Sequence, residues 1–239
     1  LSLFGPALEN SSQAAISLPG GAKLEEVDFE RHVMAIASRM GCNGGACHGS
    51  FQGRGDFRLS LFAFDFEMDH EAIFDLVDPE DADASYLLEK PTLQIEHGGG
   101  KRFDVGSWQY RVFRDWIAAG AERSPGSGRV VELEPVPQTI RFRGPGSSAQ
   151  LKVMATFEDG VEEDVTAFCD FRVKDDYVAE LGEGGLVKSN FPGDTAIAIS
   201  YLGNVRAARV LVPAEVPQDF IYPKYEITSY VDRHVDSRL

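Results

Sequence analysis

Gly41-Cys42-Asn43-Gly44-Gly45-Ala46-Cys47-His48-Gly49 constrains this chain more than any other stretch. Two of its three cysteines stand here with four residues between them, and a histidine follows the second directly. A Cys-x-x-Cys-His run is the attachment signal for c-type haem, and here the loop between the thiols is longer. The chemistry tolerates the change. Two thiols add to the two vinyl groups, and the next imidazole reaches iron from below the ring. Asn43, Gly44, Gly45 and Ala46 suit such a loop, because small residues let the backbone lie close to the porphyrin edge. Three other readings stay open at this point. The two thiols can close a disulfide in an exported chain. They can bind zinc with His48 and one more histidine, although no second cysteine pair exists to complete such a site. They can also be plain buried thiols.

The 239 residues, 43% of them hydrophobic, suffice for one large or two ordinary domains. A net charge of −15 and a pI near 4.7 disfavour nucleic acid and anionic membranes as partners. The acidity suits solubility or a basic partner. No apolar run reaches the roughly eighteen residues of a transmembrane helix. The chain opens Leu1-Ser2-Leu3-Phe4-Gly5-Pro6 without an initiator Met, which reads as the remainder after processing or trimming. Haem c is attached outside the cytoplasm in bacteria, so the motif argues for an exported protein, periplasmic or at the cell surface. Cys169, the odd cysteine, reads as a buried strand thiol.

Patterning divides the chain. Residues 1–25 form a polar lead-in. Residues 26–123 carry the helical signals: an Asp28 N-cap before Phe29, His32, Val33, Ile36 and Met40, with Gly41 as the stop. A Gly-rich loop from Gly49 to Gly55 precedes an alternating, extended segment at Phe57–Phe62. Further helices are predicted over Glu67–Val77, over Ala82–Glu89 and from Ser107 to Gly120, with Trp116 packed on the first helix. Residues 124–128, Ser-Pro-Gly-Ser-Gly, mark a linker. Residues 129–214 switch to short alternating runs with turns between, the pattern of a β-sandwich. An amphipathic helix is predicted from about Tyr225, with Ile227, Tyr230, Val231 and Val235 on one face. It reads as the opening of a further domain within the last segment, 215–239.

Beyond these patterns there is a family resemblance. Phe29-Glu30-Arg31-His32-Val33-Met34 running into the cysteine loop, then Phe57-Arg58-Leu59-Ser60-Leu61, His97-Gly98-Gly99-Gly100-Lys101-Arg102 and Trp116-Ile117-Ala118-Ala119-Gly120-Ala121, resembles the cytochrome c-like region of large planctomycete surface or periplasmic proteins. Phe157-Glu158-Asp159-Gly160 with Asp164-Val165-Thr166 resembles the signature of a bacterial Ig-like domain of group 2. The resemblance implies an α+β multidomain chain, with a mainly α, cytochrome c-like N-terminal domain and an Ig-like β-sandwich after it.

The proximal iron ligand on this reading is His48. Candidates for the opposite position are His32, Met34, Met40, Met68, His70 and His97. Met40 lies on the attachment side, His32 and Met34 sit on the leading helix, and His70 lies in a charged, solvated run. His97 stands out because three glycines follow it and free the backbone to approach the ring, and the resemblance includes that run. An open or water-bound position remains the alternative. Arg54, Arg58, Lys101 and Arg102 are candidate partners for the haem propionates. The expected function is that of a monohaem c-type electron-transfer unit, with one covalent haem held by Cys42, Cys47, His48 and His97. It would exchange electrons with a redox partner or with further domains, as a carrier more than an enzyme. The alternative is a cell-surface binding module in which the β-sandwich recognises a polymer or protein and the haem is structural or sensory.

Overall fold

A computed structural model describes residues 14–217, 219–221 and 226–237. The first half of the lead-in and Tyr225, the expected start of the last helix, lie outside the described residues.

A two-stranded hairpin, β1 (Ile16–Ser17) with β2 (Lys23–Leu24), leads into the first helix. The Asp28 carboxylate accepts the Arg31 N–H and caps a wide turn over Phe29–Val33, which continues as α1 (Met34–Arg39). Gly41 follows at φ +75°, a left-handed conformation that ends the helix directly before Cys42. Then come α2 (Phe66–Phe74), capped by Asp65, the single-turn α3 (Tyr86–Glu89), and α4 (Trp108–Ala118), capped by Ser107. Trp116 packs against Phe29 with ring centres 5.1 Å apart, as its spacing predicts.

The expected mainly α, cytochrome c-like domain is not what forms. Helix and strand each make up 26% of the molecule. The longest helix before the strands has 11 residues and α3 only four. The reason is local. Glycines at 41, 53, 55, 100, 106 and 120, all at positive φ, cut the helical signals into short pieces joined by turns. The segment Phe57–Phe62 is not a strand either. A single bridge between Arg54 and Phe57 and a tight turn over Leu61–Ala63 replace it.

The strand half begins with β3 (Val130–Val136), β4 (Thr139–Arg141), β5 (Ser148–Gln150), β6 (Lys152–Phe157) and β7 (Glu162–Asp164). It continues with β8 (Asp170–Val173), β9 (Ala179–Leu181), β10 (Leu186–Ser189), β11 (Gly193–Tyr201) and β12 (Asn204–Val212). These strands make sheets ordered β4-β12-β11-β8, β3-β6-β7 and β5-β10-β9. Every pairing is antiparallel except β4 with β12. Alternation along β11 buries Thr195, Ile197, Ile199 and Tyr201. Cys169 is fully buried just before β8 and donates its S–H to the Val165 carbonyl. The last helix, α5 (Tyr230–Asp236), carries a Ser229/Asp232 capping box.

One hydrophobic cluster runs through both halves. The turn and helix over residues 29–39 form the seam. His32 Nε2 lies 2.6 Å from the Glu163 carboxylate, and its ring packs on Phe168. Arg31 pairs with Asp159 and donates to the Ser127 carbonyl, and Arg39 donates to the Ala167 carbonyl. The stretch 124–128 is tied down by Glu30. Its buried carboxylate accepts from Arg123 and from the Gly126 and Gly128 N–H groups. The helix that aims Cys42 is thereby braced on both sides.

Candidate functional site

The cysteine loop folds tightly on itself. The Cys42 N–H bonds back to Ala37, the His48 N–H bonds the Cys42 carbonyl, and the Gly49 N–H bonds Gly44. Only glycine fits at 49, where a Cβ would stand 2.0 Å from the Asn43 carbonyl oxygen. Asn43 is buried and donates to Ser38. The loop therefore holds its shape through backbone bonds and leaves both thiols and the imidazole to a cavity.

That cavity has a volume of about 310 Å³. Cys42, Cys47 and His48 form one wall, His97, Gly98 and Gly99 another. Leu59, Ile73, Leu76, Leu87, Phe103 and Phe113 supply an apolar floor, and Phe103 stacks on Phe113. All four residues expected to hold the cofactor thus line one space.

The two imidazoles are held alike. His48 Nδ1 lies 3.2 Å from the Phe57 carbonyl oxygen, and His97 Nδ1 lies 2.9 Å from that of Gly100. A carbonyl only accepts, so each Nδ1 carries a proton, and in a neutral ring the lone pair then sits on Nε2. Burial, the largest influence, pushes the His48 pKa down and favours that neutral form. The rings are parallel within 6°, with centres 6.3 Å apart. Two thiols and two imidazoles on one largely apolar cavity are a donor set of the chemistry a covalent haem would need. Gly99 permits the approach, since a Cβ there would lie 2.8 Å from His97 Cε1.

No protein-family model matches this chain, and no curated protein does.

Cys42 and Cys47 are not joined to each other. Burial raises the Cys42 thiol to about 11, against the pull of the Arg102 guanidinium. Arg102 donates to the Met40 carbonyl and approaches Cys47 Sγ at 3.5 Å, bridging the two loops that carry the histidines. Among the described residues no three His, Cys, Asp or Glu side chains form a cluster that could hold a bare metal ion.

The other ligand candidates lie elsewhere. His32, Met34, Met40, Met68 and His70 line no part of the cavity. Met34 is core, and His32 belongs to the seam. His70 is not the solvated residue its charged neighbours suggest: Nε2 bonds the Ala121 carbonyl and the ring packs edge-on to Phe29. Of the four expected basic residues, Arg54 and Arg102 reach the cavity. Arg58 lies over the Phe51 ring, and Lys101 pairs with Asp104. Lys90 and Glu96 also line the cavity, and nothing in the sequence pattern marks either. The carbonyls of Phe57 and Gly100 are likewise invisible to residue-type reasoning, because backbone groups carry no sequence label.

Proposed function

We propose that this chain carries one covalently attached haem c and serves outside the cytoplasm as an electron carrier. The observation that carries the reading is the His48–His97 pair, with parallel rings 6.3 Å apart and both Nδ1 atoms anchored on carbonyls. It rests on the loop and the cavity, not on a helical cytochrome fold. Cys42 and Cys47 would form the two thioethers, and His48 and His97 would hold its iron. Bound there, the group supplies a one-electron redox centre, and two histidines set its potential below that of a Met/His pair.

The chain's own residues do the rest. The Phe57 and Gly100 carbonyls fix both rings and raise their basicity. The apolar floor of Leu59, Ile73, Leu76, Leu87, Phe103 and Phe113 would lower the polarity on that side of the centre, so less solvent would have to reorganise when the charge changes. Arg54 and Arg102 are placed to pair with propionates. The buried seam to the strand half keeps the cysteine loop from shifting.

The test is expression in a host with haem-maturation machinery. The denatured protein should keep its Soret band, and its mass should exceed that of the polypeptide by one haem. Replacing both Cys42 and Cys47 by Ala should abolish both signals. Maturation of the unaltered chain without haem in a competent host overturns the proposal.

A further inference from the structure

Behind the cavity floor lies a buried acid that holds no part of the site. Asp69 is 0% exposed, and among the described residues no cation forms an ion pair with it. Its oxygens accept from the Ser60 N–H and from the Ser60 hydroxyl, the latter at 2.7 Å. The charge that acts on it is the carboxylate of Asp65, which caps the same helix and repels it. His70, next in the chain, is turned to the Ala121 carbonyl, and Arg58, two residues before Ser60, lies over Phe51.

Its position links this acid to the cavity. Ile73, about one turn further along α2, lines the cavity, and so does Leu59, directly before Ser60. The Leu59 N–H donates to the His48 carbonyl at 2.8 Å. The segment that holds Asp69 is therefore bonded to the backbone of His48, with apolar side chains between the carboxyl and the cavity. Solvent screens a charge poorly across such a layer. We propose that Asp69 couples proton release to oxidation of this site: when the centre loses an electron, the carboxyl gives up its proton. The inference rests on the electron-carrier reading. The balance is at most one for one. One electron passes to a one-electron acceptor, and up to one proton passes from Asp69 by way of the half-buried Ser60 hydroxyl to water. The carboxylate left behind offsets the positive charge gained, so it favours the oxidised form, and the potential falls as pH rises. Burial holds the Asp69 pKa up at about 6, within the range where a carrier outside the cytoplasm works. A unit charge about 10 Å away at an effective dielectric near 20 changes a proton affinity roughly tenfold.

The haem-free protein tests the proton and the loaded protein tests the coupling. Carbon-13 NMR of the haem-free chain should show the Asp69 carboxyl titrating at about pH 6. In the loaded protein, a mediated redox titration repeated from about pH 4.5 to about pH 8 should show a potential that falls through that range. A tenfold difference in proton affinity between the two oxidation states corresponds to a total fall of about 59 mV. Asp69→Asn should remove this fall. Any slope from the haem propionates stays in the variant, so the difference between the two proteins belongs to Asp69. Two further variants keep the carboxyl and move it in opposite directions. Ser60→Ala removes a bond that favours the charged form and should shift the fall to higher pH, and Asp65→Asn removes a repelling neighbour and should shift it to lower pH. These shifts decide the matter if Asp69→Asn does not fold. The proposal is overturned if Asp69 keeps one protonation state across the range in the haem-free protein, if Asp69→Asn retains the parent fall, or if neither neighbouring variant moves it. Maturation without haem instead ends the electron-carrier reading and this inference with it, whereas a loaded protein without the fall ends this inference alone.

Discussion

Tyr201 donates its hydroxyl proton to the Arg31 carbonyl at 2.8 Å, joining the end of the longest hairpin in the strand half to the helix that aims Cys42. The tyrosine is 2% exposed, and burial drives its pKa well above the usual phenol value, so it stays a neutral donor at every physiological pH. Tyr201→Phe leaves the Arg31 carbonyl without that partner and should destabilise the protein by about 1–2 kcal/mol. Urea unfolding followed by tryptophan fluorescence measures it. No change in midpoint would mean that the seam does not contribute to stability.

His97→Ala should open the site opposite His48. In the haem-loaded protein the iron should turn from low to high spin or recruit water, and bind added imidazole or carbon monoxide more readily. His70→Ala and His32→Ala should leave the visible spectrum nearly unchanged, because neither residue lines the cavity. A parent-like low-spin spectrum in His97→Ala would remove His97 as ligand.

Gly99→Ala tests the close approach without touching a ligand. The added methyl would meet His97 Cε1 at 2.8 Å and Nε2 at 3.1 Å, so the ring must swing away. A partly high-spin spectrum and tighter imidazole binding are expected. Gly144→Ala is the control, since a Cβ there meets nothing within 4 Å and the residue lies outside the cavity lining.

Asp69 gives the protein a pH dependence. It is fully buried, accepts from the Ser60 N–H and hydroxyl, and is pushed up to about 6, chiefly by burial. A carboxyl whose pKa is higher folded than unfolded binds its proton more tightly in the native state. Its contribution is therefore fully present below about pH 4 and is lost as pH rises to about 6, by up to about 3 kcal/mol. Asp69→Asn should flatten that part of the stability profile between pH 4 and 7, measured by urea unfolding at each pH. An unchanged profile would show that Asp69 does not titrate in this window.

Local chemistry in the sequence determined a good deal. Asp28 and Ser107 as caps, Gly41 as a stop, the turn at Glu158-Asp159-Gly160 and the alternation along 195–201 act within a few residues, and each stands where its residue types require. The cysteine spacing and the glycines after His97 are of the same kind. The positive-φ glycines that shorten the helices also stand in the sequence, but helical periodicity on either side of them masks how little helix is left in α1 and α3. Tertiary structure alone decided which histidine faces His48. His32, His70 and His97 all carry imidazoles, and only the fold brings the 97–100 turn over the cysteine loop and packs the other two against Phe168 and Phe29. Such selection depends on contacts between residues far apart in the chain, which no local pattern records.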